Sequence, residues 1–204
     1  MIDELNAPRP LDGIRVIEAS TYLAGPYGAM MLADLGADVI KVEPPGGDPY
    51  RKFGTLRDGV GIVWNNANRG KRSVVIDLKT EQGLNDLKQL ISTADVYIEN
   101  MRPHVAEKLG LGKDAVAALN ENLVRISITG FGADGPLARE PVYDALVQGR
   151  SGYISYEAGS EGPRAANTFI TDKLSAAFVC QITLGGIIQR QRLGRGVNIE
   201  TSML

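Results

Sequence analysis

The amino-acid sequence predicts an α/β fold built on a doubly wound, mostly parallel sheet. Three observations carry that expectation: short runs rich in β-branched residues alternate with stretches of helical period, glycine and proline close most of the runs, and parallel neighbours need crossovers that cover both sheet faces. After a polar, proline-bearing opening, Ile14-Arg-Val-Ile-Glu-Ala19 reads as the first strand, closed by Ser20 and Thr21. Residues 27–35 place Met30, Met31 and Leu35 at helical spacing, and Gly36 supplies a left-handed stop. Residues 38–43 form a second strand, ended by Pro44-Pro-Gly-Gly47.

Residues 44–72 show no clear period, and so long a connection in a compact domain reads as a candidate binding loop. The alternation resumes with a strand at 73–78, a helix from Glu81 with Leu84, Leu87, Leu90 and Ile91 on one face, and a strand at 96–99. A helical stretch over 103–119 is broken by Gly110 and Gly112, and a fifth strand, Leu123-Val-Arg-Ile-Ser-Ile128, runs into the turn-rich Gly130-Phe-Gly-Ala-Asp-Gly-Pro136. From Asp172 to about Arg192 the chain is apolar on most faces and reads as a buried helix, with Gly185 and Gly186 allowing close approach. Gly194-Arg-Gly196 ends it, and 197–200 is one more strand.

The chain has 204 residues, enough for one large domain burying roughly 70% of its extended surface. With 22 Lys plus Arg against 24 Asp plus Glu, the net charge of -2 offers no field that would gather nucleic acid or an anionic membrane. The single cysteine, Cys180, excludes an internal disulfide, the opening lacks the basic and apolar regions of a signal peptide, and no apolar run reaches the ~18 residues that span a bilayer. A cytoplasmic enzyme or binding domain is expected. His104, the lone histidine, has no cysteine or second histidine at ligand spacing, so no metal site is expected.

The β-α-β opening with Glu43 at the end of strand two permits a dinucleotide-binding alternative, in which Glu43 would hold a ribose hydroxyl. Ala24-Gly-Pro-Tyr-Gly28, however, lacks the three-glycine pattern that lets backbone approach a pyrophosphate. Asn68-Arg-Gly-Lys-Arg-Ser73 is no phosphate loop either, since no glycine stands five residues before Gly70 and Arg72 follows Lys71.

Several segments in order resemble one family. Pro10-Leu-Asp-Gly-Ile-Arg-Val16 with Ala24-Gly-Pro26, residues 35–43, Lys71-Arg-Ser73, Asp95-Val-Tyr-Ile-Glu-Asn100 and residues 130–136 are similar to the ordered motifs of class III CoA-transferases, the formyl-CoA transferase and carnitine CoA-transferase type. The likeness continues through Tyr143-Asp144, Gln148-Gly149, Ser151-Gly152, Asp172 and Gly194-Arg-Gly196. It implies a Rossmann-like large domain of which this chain would be the N-terminal part, the small domain and C-terminal return segment being absent, and subunits interlocked as a homodimer. It implies acyl-CoA and a small carboxylic acid as substrates, coenzyme A as substrate and product, and no tightly bound cofactor.

The resemblance makes Asp172 the nucleophile, attacking the acyl-CoA carbonyl and then carrying CoA as an aspartyl thioester. Residue chemistry agrees, since a carboxylate at the N-terminus of an apolar helix is favoured in its ionised form by ~0.3–1 kcal/mol and shielded from water. The plain alternative is a first-turn carboxylate with a structural role. The resemblance also implies CoA contacts at Leu23, Ala24, Asn100, Met101 and Lys108, and an aromatic group at Tyr143 near the reacting carbonyl, where half-buried packing is the alternative. Lys71 and Arg72 are candidate phosphate partners on the loop before strand three, or simply solvated charges. Some members carry a basic residue where this chain has Pro44, and arginine at Lys108. Acyl-CoA racemases of the superfamily place histidine at the position of Tyr143, which makes racemisation the weaker alternative, and a CoA-binding fragment without activity is a further one.

Overall fold

The computed structural model describes residues 7–160 and 162–204; residues 1–6, the start of the polar opening, lie outside the described residues. Six strands form one sheet: β1 (Arg15–Ala19), β2 (Asp38–Glu43), β5 (Arg72–Val75), β6 (Val96–Glu99), β7 (Val124–Thr129) and β8 (Val197–Ser202). Their order is β5-β2-β1-β6-β7-β8, and all five pairings are parallel. The chain winds outward from β1 in one direction and then in the other, so the order reverses between β1 and β6. In such sheets a crevice opens beyond the carboxyl ends of the strands at that reversal.

Period-two alternation sends successive strand residues to opposite layers. Val16, Val39, Val96, Val124 and Ile126 pack with Ala29, Leu32 and Ala33 of helix α1 (Ala24–Asp34) and with Val179 and Ile187 of helix α8 (Ile170–Leu193). Ile17, Ile40 and Tyr97 pack on the other side against Leu87 and Ile91 of α3 (Glu81–Ser92) and Val116 of α5 (Lys113–Leu119). Helix α1 and helix α8 meet closely because Gly28 has no side chain: a Cβ there would stand 2.8 Å from Val179 Cγ1 and 2.9 Å from the Ala176 carbonyl. The predicted break between α4 (Pro103–Lys108) and α5 falls at Gly110, whose φ is 67°.

Two expectations need correction. The connection 44–72 is built, not irregular: a 3-10 turn (Pro49–Lys52), a hairpin of β3 (Leu56–Arg57) with β4 (Val60–Gly61), and α2 (Ile62–Asn68). Asp58 and Gly59 both take positive φ, 51° and 81°, as a two-residue hairpin turn requires, so the Asp-Gly pair was its readable signal. Helix α8 is buried on one side only; Leu174, Phe178 and Ile188 are exposed, Leu174 at 62%. The short helices α6 (Asp144–Arg150) and α7 (Tyr153–Tyr156) are too brief to show a period. No helix among the described residues is long and apolar enough to cross a membrane.

Candidate functional site

The crevice at the reversal point is a cavity of about 730 Å³. Each wall follows from the topology. The turn after β1 brings Thr21, Tyr22, Leu23 and Ala24; the turn after β6 brings Asn100, Met101 and Arg102; the ends of β7 and α6 bring Thr129, Tyr143, Asp144 and Gln148; and α8 brings Phe169 and Asp172. The Asn100 amide fastens the first two turns together, donating to the Thr21 carbonyl and accepting from the Thr21 N–H, both at 3.0 Å.

Asp172 stands in the first turn of α8 and lines the cavity beside the start of α1, whose Ala24 backbone bonds its carboxyl. The helix has no cap from its own Phe169; Asp144, on the separate helix α6, caps it instead. One Asp144 oxygen accepts from the Thr171 N–H at 2.8 Å, the Asp172 N–H at 3.0 Å and the Thr171 hydroxyl at 2.6 Å, while its other oxygen accepts from the Gln148 amide. Helix N-termini favour such a carboxylate.

Burial, then the charge of Asp144, raises the Asp172 carboxyl from 3.8 to about 6, against a hydrogen bond from the Ala24 backbone that lowers it. The sequence-based expectation that the helix dipole sets this group therefore needs correction. A dipole effect of ~0.3–1 kcal/mol is smaller than the cost of desolvating a carboxylate beside a second one. The result is a carboxylate more basic than usual yet largely ionised at neutral pH, which suits a nucleophile.

Of the residues predicted for the site, Leu23, Ala24, Asn100, Met101, Tyr143 and Asp172 line this one cavity. Lys108 ends α4, exposed and away from the lining. Lys71 and Arg72 do not reach it. Lys71, with its side chain only 2% exposed, points inward and donates to Glu18 at 3.0 Å, the Pro26 carbonyl at 2.7 Å and Asn68 at 2.7 Å. Burial, its largest influence, lowers its ammonium to about 8. Arg72 begins β5 and pairs with Asp38 at the start of β2, on the amino edge of the sheet, opposite the cavity. Glu43, the candidate ribose ligand, is already engaged: Arg51 donates to both its oxygens at 2.6 and 2.7 Å, and Ser73 to one at 2.6 Å. That geometry counts against the dinucleotide alternative.

Tyr22, Tyr50, Phe53 and Phe169, from turns and element ends, and Gln148, from the short helix α6, also line the cavity and had no signal in spacing, because only the tertiary fold brings these segments together. Tyr22 adopts a φ of 64°, a conformation that costs a non-glycine residue about 1–3 kcal/mol.

Comparison with known proteins agrees with this architecture. The chain is 41% identical to a succinate–glutarate CoA-transferase of Agrobacterium fabrum, over 100% of this chain and 53% of that protein. It is 38% identical to an acetyl-CoA:oxalate CoA-transferase of Acetobacter aceti, over 95% of this chain and 51% of that protein. The crystal structure of a CAIB/BAIF family protein from Brucella suis superposes with a TM-score of 0.87 at 36% identity, over 97% of this chain and 54% of that one. The chain thus spans about half the length of the curated relatives it matches. The sequence model of CoA-transferase family III matches residues 11–204, and the chain belongs to that family.

Proposed function

We propose that this chain carries the nucleophile and much of the CoA-binding crevice of an enzyme that moves CoA from an acyl-CoA to a carboxylic acid through an aspartyl-CoA thioester. The observation that carries the reading is Asp172: a carboxylate in the first turn of a long helix, raised to about 6, and facing the crevice at the sheet's reversal point.

In the proposed cycle an Asp172 oxygen attacks the acyl carbonyl, and the CoA thiolate leaves to give a mixed anhydride. The thiolate then attacks the aspartyl carbonyl, releasing the first acid and forming the Asp172–CoA thioester. The acceptor carboxylate attacks that thioester, the thiolate leaves again, and its attack on the acceptor side of the new anhydride yields the product and frees Asp172. Each step exchanges one acyl–oxygen and one acyl–sulfur bond, and no oxidant or metal is required. The Ala24 N–H holds the carboxyl, Asp144 fixes the start of the helix that carries it by accepting from the Thr171 and Asp172 N–H groups, and the apolar lining keeps water from the activated intermediates. Leu23, Ala24, Asn100, Met101 and Tyr143 are the proposed CoA contacts. Arg102, the only cation among the described lining residues, is a better placed phosphate partner than Lys71 or Arg72.

The relatives named above act with CoA thioesters and organic acids, which supports acyl-CoA and a small carboxylic acid as the substrates. Within this proposal the remaining half of the enzyme and a partner subunit complete the site, and the enzyme works in the cytoplasm. To test it, the complete protein is incubated with acyl-CoA and treated with hydroxylamine or borohydride, and the modified peptide is located by mass spectrometry. Modification at Asp172, together with loss of transfer in Asp172→Ala, is expected; labelling elsewhere or an active Asp172→Ala would overturn it.

A further inference from the structure

Five aromatic side chains run in contact around one side of the cavity. Tyr143 meets Tyr22 edge-on with ring centroids 5.7 Å apart, Tyr22 meets Tyr50 at 6.4 Å, Tyr50 stacks on Phe53 at 5.4 Å, and Phe53 meets Phe169 at 5.5 Å. The two ends of this row flank the carboxylates, since Tyr143 precedes Asp144 and Phe169 lies three residues before Asp172. The rings come from four separate segments, so something must hold them in line.

That something is a buried ion pair outside the catalytic machinery. Asp48, 1% exposed, accepts through one oxygen from the Tyr50 N–H at 2.9 Å and the Tyr22 N–H at 3.3 Å. Its other oxygen lies 3.0 Å from the Lys41 ammonium. Lys41 is itself buried and fastened to Glu18 at 3.2 Å and to the Ser20 carbonyl at 2.9 Å, and the Asp48 N–H donates to Glu43 at 2.9 Å. One carboxylate therefore fixes both Tyr22, in its strained left-handed conformation, and Tyr50. Strain of that kind persists only where surrounding structure over-determines it, and here it turns the Tyr22 ring onto its neighbours.

We propose that the Asp48–Lys41 pair positions an aromatic wall, made by Tyr22, Tyr50, Phe53, Tyr143 and Phe169, that selects acyl groups with a flat, apolar body. The inference rests on the CoA-transfer reading above. Aromatic rings offer edge and face contacts to such a body. An apolar body also brings no further negative charge to the wall that this chain supplies, which already holds Asp144, Asp172 and Glu140. The Asp48→Asn variant keeps shape and an acceptor oxygen but removes the charge that holds Lys41, which loosens Tyr22 and Tyr50 together.

The test measures kcat and KM of the complete protein with phenylacetyl-CoA, acetyl-CoA and succinyl-CoA as donors to a common acceptor. The parent is expected to prefer phenylacetyl-CoA. In Asp48→Asn the ratio of kcat/KM for phenylacetyl-CoA to that for acetyl-CoA should fall about tenfold, with the loss in KM for the larger donor. Should that variant fail to fold, Tyr22→Gly, which takes positive φ without strain and lacks the ring, should show the same shift. A parent that favours succinyl-CoA overturns the substrate class. An equal loss for both donors, or an unchanged ratio, overturns the positioning role. A parent that transfers no CoA from any donor sinks the transfer reading and this inference with it, an outcome distinct from the others.

Discussion

Burial and the Asp144 charge keep a proton on Asp172 up to about pH 6, whereas the unfolded chain releases it near 3.8. Between those values the folded state binds more protons than the unfolded one, so this group makes stability fall as pH rises through the window. Above about pH 6 the full penalty is present, at most about 3 kcal/mol for a shift of this size. Asp172→Asn removes the ionisation while keeping the shape. It is therefore expected to stabilise the complete protein by about 1–3 kcal/mol at pH 7–8 and by almost nothing below pH 4, as read from thermal unfolding across that range. A gain independent of pH, or a loss at pH 8, would show that Asp172 is not held at that cost. The same titration predicts that kcat/KM declines below about pH 6, when the nucleophile takes up its proton. The position of Asp172 at a helix start was legible in the sequence. Its basicity was not, because the group that raises it, Asp144, lies 28 residues upstream and approaches only through the trans cap.

At the scale of elements, the site depends on how closely α1 and α8 pack. Helix α1 begins at Ala24, whose backbone supports Asp172, and one turn later Gly28 lies against Ala176 and Val179. Gly28→Val would push the helices apart, with an expected loss of about 1–3 kcal/mol in chemical unfolding and a drop in transfer activity larger than stability alone explains. An active, fully stable Gly28→Val would show that the spacing is not critical. The sequence pointed to Gly185 and Gly186 for close approach. Gly186 does meet Val124, with a Cβ placed 2.7 Å away, but Gly185 faces open space. The four inner strands were readable because burial on both faces demands near-continuous apolar, β-branched runs, and the edge strands β5 and β8 by their short β-branched stretches between turn residues. The connection 44–72 was not, since its elements span two to seven residues and show no period; its role came through single charges that turn inward, Asp48 toward Lys41 and Arg51 toward Glu43. Lys71 was misplaced for the same reason: a basic residue in a loop reads as solvated, and only the fold shows it buried against Glu18.

For the molecule as a whole, the outer face of α8 presents Leu174, Phe178, Gln181, Gly185 and Ile188 in one line, at alternating steps of four and three residues. That spacing makes a seam on which another helix packs, and the bare Gly185 would let it come close. Three of the five are large exposed apolar side chains, and the neighbouring strand β8 is a six-residue edge with no partner beyond it among the described residues. Edges and apolar faces of this kind invite association. Since the relatives are about twice as long as this chain, our proposal is that the rest of the enzyme, from the same subunit or an interlocked partner, covers this face. The 204-residue chain by itself should then associate or aggregate, with light scattering rising with concentration, and should not transfer CoA. Replacing Leu174, Phe178 and Ile188 by Gln in the isolated chain should lower the scattering without unfolding it, because none of the three belongs to the buried core. The same substitutions in the complete protein should weaken its assembly and its activity together. A monodisperse isolated chain with turnover would overturn this reading, because the exposed seam would then have nothing to receive.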